Sequence, residues 1–320
     1  MDDIHQMKDG SSTVAVSALP TGQLAHPDRW LFEDGDENLM QARQLYPVYS
    51  FLIEHPSGRK ILFDLGLPKD LETVPPAIRR VFDIITPKIP KDASQVLSAG
   101  SVSATSIDSV ILSHLHFDHV GDCTKFPEAV ILAGQGSKTA SAPGWPVQPS
   151  SPFSSAVLQH PRFRELDDQL DNATSVGPFA KAYDYFGDRS FFLVEAPGHM
   201  PGHIGALAFT GENEWIFMGG DCCHHRSLLV GSRPMSITCG PAGREGFHKD
   251  PGNANATIEK VRTLEQTGHV LVALSHDSFL CDIMPEYPQR LNGWKASTWK
   301  ARLDKVLSET YPAMRSNAKV

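Results

Sequence analysis

The sequence predicts an α/β fold whose strands deliver metal-ligating residues at their ends, and three observations carry that expectation. Short β-branched and apolar runs recur along the chain. Segments of helical spacing fall between and after them. Four of those runs empty directly into histidine or aspartate. The 320 residues, 41% hydrophobic and 21% charged, suit an ordinary globular chain large enough for a sizeable core, and one domain over 1–320 is expected. The five cysteines form no C-x-x-C pair, and their odd number speaks against a closed disulfide framework. A net charge of −8 disfavours a phosphate backbone as partner, so no nucleic acid is expected. No apolar run approaches the roughly 18 residues that span a bilayer. The start Met1-Asp2-Asp3-Ile4-His5-Gln6 is acidic and polar, unlike a secretory leader. A cytoplasmic protein without membrane partners is the expectation.

In chain order, residues 14–20 read as a first strand. Residues 21–45 carry Trp30, Leu31, Phe32 and Met40 without a clean period, which leaves core packing and a pocket mouth as two readings. Residues 48–54 and 60–66 form a hairpin around His55-Pro56-Ser57-Gly58-Arg59. Asp64, near its end, suits a partner of a metal-bound histidine or a plain strand-ending turn. Residues 77–85 have helical spacing, and Pro87 and Pro90 punctuate the chain beyond them. Residues 109–112 form the central strand and 129–133 a short buried one. From 136 to 155 the chain is rich in Ser and Pro around Trp145 and Phe153. That stretch looks structureless, either a lid or a solvent-facing insertion. Residues 190–195 are a strand, 204–209 and 215–218 a hairpin, 255–266 a helix stopped by Gly268, and 269–274 a last strand. The tail 288–311 is expected to be helical, with Trp294 and Trp299 against the core.

The central strand runs into Ser113-His114-Leu115-His116-Phe117-Asp118-His119, which packs three histidines and an aspartate into six residues. Imidazole and carboxylate donors suit Zn²⁺, and so many together call for a cation. His199, Asp221 and His276 then come singly at the ends of later strands.

His114-x-His116-x-Asp118-His119, then His199, Asp221 and His276, resembles the metallo-β-lactamase superfamily over roughly residues 14–285. The resemblance implies an αβ/βα four-layer sandwich, two central mixed β-sheets flanked by helices. It also implies two Zn²⁺ ions, one held by His114, His116 and His199, the other by Asp118, His119 and His276, with Asp221 bridging. Two metals about 3.5–4 Å apart can share a hydroxide that attacks a carbonyl.

Within the superfamily, His116 stands where the oxygen-reducing diiron branch carries glutamate. The chain is most similar to N-acyl homoserine lactonases, through His114-Leu115-His116-Phe117-Asp118-His119 and Pro197-Gly198-His199-Met200-Pro201-Gly202-His203. Phe117 is accordingly a substrate-binding candidate. Those lactonases carry a tyrosine three residues after the bridging aspartate, and here that position is His224. A histidine there can polarise a carbonyl or serve a leaving group, which widens the expected substrates from cyclic esters to cyclic amides or carbamates. Catalytic roles are expected for Asp118 and His224, with His225 an alternative to His224. His203 reads as backbone support, and Cys222 and Cys223 as small buried residues. A thioesterase is a further alternative; Lys295, Lys300, Arg302 and Lys305 offer charges for its substrate, though a solvated helix face accounts for them as well. A metal-stabilised binding protein is the non-enzymatic one. Ring type and oligomeric state stay open.

Overall fold

The computed structural model describes residues 12–166, 174–243 and 245–312. The acidic start Met1 to Gln6 lies outside the described residues. The first sheet runs in spatial order β1 (Ala15–Pro27), β2 (Arg43–Glu54), β3 (Lys60–Phe63), β4 (Ser109–Leu112), β5 (Val130–Ala133) and β6 (Phe163–Glu165). The second holds β7 (Thr174–Val176), β8 (Phe179–Asp184), β9 (Phe191–Glu195), β10 (Ile204–Gly211), β11 (Glu214–Met218) and β12 (Val270–Ala273), each beside the next. Both are mixed: β3 to β6 pair in parallel and β1 to β3 antiparallel, while β11–β12 is parallel and β7 to β11 antiparallel.

Alternation along the strands builds the layers, because successive side chains leave a strand on opposite faces. Phe51, Ile53, Ile61 and Phe63 meet Phe191, Leu193, Ala206 and Met218 between the sheets. Their neighbours Leu52 and Leu62 face outward onto Ala93, Val96 and Leu97 of the helix Ala93–Ala99. On the opposite outer face, Phe192, Val194 and Phe217 cover Ile258, Val261 and Leu264 of the helix Pro251–Gln266. Strands buried on both faces sit between helical layers, so the fold is the four-layer sandwich expected.

Several boundaries differ from expectation. β1 does not stop at Pro20. It continues to Pro27 across a bulge between Pro20 and Gly22, which an edge strand tolerates because a proline there breaks no ladder on the open side. Trp30, Leu31 and Phe32 are buried, whereas Met40 is exposed. The expected helix over 77–85 is two single turns, Pro76–Arg79 and Phe82–Ile85, since Val81 N–H bonds Ile78 O and tightens the chain between them. The segment 136–155 is not structureless: it contains the helix Ser137–Ser141 and a Trp145–Ser154 bridge. The later helix begins at Pro251, four residues early, capped by the Asp250 carboxylate. In the tail, regular helix begins at Thr298, capped by Ser297, after a short 3-10 turn that buries Trp294. The helix Ala93–Ala99 has a capping box of Asp92 and Gln95, a signal local to the sequence. No helix among the described residues is long and apolar enough to cross a membrane.

Candidate metal centre

β3 and β4 run parallel in one sheet, as do β11 and β12 in the other. Their C-terminal ends open at one edge of the sandwich, and the loops that leave them converge. Backbone bonds tie these loops together: Ile204 N–H to Ser113 O at 2.9 Å, Tyr49 N–H to Ser275 O at 3.0 Å, and Leu65 N–H to His119 O at 2.8 Å. Gly220, at φ 52°, sits where a Cβ would lie 2.6 Å from Ser113 Cβ, so the turn into Asp221 needs glycine.

His114, His116, His199 and Asp221 bring one donor atom each into one group, and Asp118, His119 and His276 into a second. His199 Nε2 lies 2.9 Å from His116 Nδ1 and 3.2 Å from His114 Nε2. Asp221 stands between the groups. Its Oδ1 lies 3.1 Å from His119 Nε2 and 3.3 Å from His276 Nε2, while its Oδ2 lies 3.5 Å from His199 Nε2 and 3.7 Å from His114 Nε2. Asp118 Oδ2 is 3.4 Å from His276 Nε2.

Outer hydrogen bonds fix which nitrogen faces inward. His119 Nδ1 lies 2.8 Å from Asp64 Oδ2, which also accepts from Ser113 Oγ at 2.8 Å, while Asp64 Oδ1 accepts the Ser113 N–H at 2.7 Å. His276 Nδ1 donates to Pro47 O at 2.9 Å. Both rings therefore turn Nε2 toward the aspartates. His119 Nε2, His276 Nε2 and Asp221 Oδ1 are buried and have no hydrogen-bond partner among the described residues. Orphaned imidazole nitrogens converging on a carboxylate fit divalent metal ions, and the His/Asp composition fits zinc.

Electrostatics agree. Burial pushes His114 and His199 well below the usual imidazole range, and His116 to about 4, so these rings are neutral donors. Burial opposes charge on His276 as well, but Asp221 and Asp118 hold it at about 10; Asp221 and Asp64 likewise raise His119 well above 6.5. Burial works against the Asp118 carboxylate, yet His119 and His276 bring it down to about 2. The cavity asks for positive charge.

His224 joins this centre. Its Nε2 is 3.2 Å from Asp221 Oδ2 and its Nδ1 3.3 Å from His248 Nε2. His199, His224 and His248 form a third close group. His248 escapes a reading of the sequence because no strand and no ligand spacing announce it. His26 is equally silent there. It is buried beside His276, with neither ring nitrogen partnered among the described residues. His225 points elsewhere: its Nδ1 accepts the Ser227 N–H at 3.0 Å and caps the helix Arg226–Leu229. His203 Nε2 accepts the Asp221 N–H at 3.1 Å and so supports backbone. Cys222 and Cys223 pack in an apolar cluster, where burial pushes Cys223 up to about 12 and Cys222 well above its ordinary value. Phe117 is half-buried in the apolar cluster of Leu24 and Trp30. Phe153 stacks on His116 at 5.8 Å and 4°. A crevice lined by Trp30, Met235 and Phe247 reaches His224 and His248 but is too tight to admit a water molecule. Lys295 and Lys300 are engaged locally, with Asn213 O and Asp304.

Comparison with known proteins agrees with this geometry. The sequence profile of the Metallo-beta-lactamase superfamily matches residues 43–219. The metallo-hydrolase mfmC of Annulohypoxylon moriforme is 33% identical, over 91% of this chain and 86% of that protein. The gamma-lactamase FDB1 of Fusarium pseudograminearum is 30% identical over 79% and 71%. Against the cytochrome P450 monooxygenase mpaDE' of Penicillium brevicompactum, 34% identical, the match takes 90% of this chain but spans only 36% of that longer protein. Among solved structures, an N-acyl homoserine lactone hydrolase with product bound at its catalytic metal centre superposes with a TM-score of 0.64 at 17% identity, covering 87% of this chain and 99% of that one. The fold, the converging His/Asp groups and these matches together establish that the chain belongs to the metallo-beta-lactamase superfamily, as a metal-dependent hydrolase.

Proposed function

We propose that the chain is a dinuclear zinc hydrolase that opens a small cyclic ester. The observation that carries this reading is the division of Asp221, whose two oxygens face two different sets of histidines. A carboxylate so placed suits two cations side by side. Bound there, two zinc ions supply a nucleophilic water at neutral pH and an electrophile for the carbonyl oxygen.

The remaining work falls to the chain. His114, His116 and His199 would hold one ion, Asp118, His119 and His276 the other, and Asp221 both. His224 faces the same space and hydrogen-bonds the substrate carbonyl or its leaving atom, while Asp118, kept a carboxylate, accepts a proton. Burial of the ligands keeps bulk water out and strengthens each of these contacts. Phe153, seated on His116, supports a covering role for 136–155, and Phe117 closes the apolar side.

A cyclic amide is the second reading, and His224 is the observation that favours it, because a leaving nitrogen needs a hydrogen-bond donor more than a leaving alkoxide does. The gamma-lactamase FDB1 among the relatives points the same way. Metal analysis combined with a mass-spectrometric screen of lactones, lactams and thioesters tests both. About two zinc ions per chain and addition of one water to a ring are expected. A single ion, with no activity gained on adding zinc, would end the dinuclear reading, and release of a thiol would end the cyclic one.

A further inference from the structure

Beside the two inner groups, His199, His224 and His248 bring one ligand nitrogen each within 4.8 Å of one another. All three side chains are buried. His224 Nδ1 lies 3.3 Å from His248 Nε2. A tetrahedral zinc ion with Zn–N bonds of about 2.0–2.1 Å holds its nitrogens about 3.3–3.4 Å apart, so the two rings are spaced as ligands of one ion. The first inner group is spaced no more widely, with His199 Nε2 at 2.9 Å from His116 Nδ1 and 3.2 Å from His114 Nε2.

His199 belongs to both groups. Its Nδ1 is buried and has no hydrogen-bond partner among the described residues. A neutral imidazole has one lone pair to lend a metal, so His199 serves one ion at a time. Once the inner groups are filled, a further ion rests on His224, His248 and water, and is held more weakly than the inner ones. Negative charge to balance it is close, since His224 Nε2 lies 3.2 Å from Asp221 Oδ2.

The surroundings hold the donors in place. Phe247 stacks on the His224 ring at 4.6 Å and 20°. The residues after His248 are tied to the loop that carries His199, by Lys249 N–H to His199 O at 3.1 Å and Asp250 N–H to Gly198 O at 2.9 Å. The three rings are therefore brought together by backbone that is fixed on both sides of the group.

We propose that His224 and His248 form a third, weaker zinc position that shares His199 with the first inner group, so that the chain takes up more zinc than its inner groups hold. The inference goes beyond the hydrolytic reading and does not need it, because it concerns where ions bind and not what they do there.

Zinc alone is the probe, on the full chain. Competition against chelators of graded affinity is expected to show tight uptake by the inner groups followed by one weaker step. In His248→Phe the weaker step should be lost and the tight uptake kept, which also shows that the variant is folded. Anomalous diffraction at the zinc edge, from native crystals grown in excess zinc, should place an ion about 2.0–2.1 Å from both His224 Nδ1 and His248 Nε2. A native protein saturated by the tight uptake alone overturns the proposal. So does a weaker step that survives in His248→Phe, or an extra ion bound elsewhere with none between these two rings. Should His248→Phe fail to fold, the native diffraction map decides alone. One tight ion followed by the weaker one would end the dinuclear reading and leave the third position standing, while two tight ions and no third would do the reverse.

Discussion

Arg226 Nε donates to Asp277 Oδ2 at 2.5 Å, with both side chains sealed from solvent. The same guanidinium reaches Glu265 and, at 2.7 Å, Val272 O. Asp277 follows His276, and Arg226 stands two residues after His224, so this pair braces the loops after β11 and β12 against each other. Arg226→Ala would leave Asp277 charged and buried, and removal of one partner of a buried pair costs roughly 3–5 kcal/mol. Urea unfolding at saturating zinc is expected to show that loss. A change within about 0.5 kcal/mol, the scale of surface substitutions, would mean the brace is idle.

Asp64 has a different task, since it binds no inward-facing donor but fixes the ring of His119 through Nδ1. Asp64→Ala is expected to weaken zinc binding about 10–100-fold, the usual effect of losing such a partner. Competition with a chromophoric chelator measures it. The group built on His114, His116 and His199 should be affected less, so one of two binding steps should move.

His203 supplies an internal control. Its Nε2 accepts the buried N–H of Asp221, and His203→Ala would orphan that donor. Stability is expected to fall by about 1–3 kcal/mol with zinc stoichiometry unchanged. Loss of an ion in this variant would instead make His203 a ligand.

Zinc uptake should release protons. In the metal-free protein Asp221 holds His119 well above 6.5 and His276 at about 10, despite burial, so both rings are charged at pH 7. These raised groups contribute stability that is fully present below pH 6.5 and is lost as pH rises through about 10. A metal must displace their protons, so titration at pH 7 is expected to release about two protons per chain. Calorimetry in buffers of different ionisation enthalpy reads the number. Zero would show that neither ring gives up a proton to the metal.

The sequence is most legible where chemistry and strand pattern coincide. The β-branched run before His114, the Pro197-Gly198-His199 turn and the strand before His276 each announce both an element and its cargo. Elements without such cargo are harder. β6, β7 and β8 are short edge-side strands whose exposed residues blur the alternation, as the half-buried run Phe163–Glu165 shows. β1 reads too short because Pro20 and Gly22 look like punctuation, and only pairing with β2 turns them into a bulge. His248 stays hidden for a tertiary reason: its meaning comes from a neighbour 24 positions earlier in the chain and from backbone bonds to the His199 loop.

The anchoring of His276 on Pro47 O joins positions 229 residues apart, so the last of the candidate ligands is aimed by the second strand of the first sheet. A chain growing from its N-terminus carries His114, His116 and His199 long before it carries His276. During that interval it can offer one half of a cage, with weaker grip and no partner for the inner face of Asp118. Contacts of such long separation are the slow ones to close. Metal capture at full affinity therefore reports that both ends of the molecule have docked, and a chain arrested before β12 should be distinguishable from the finished one by its ion content alone.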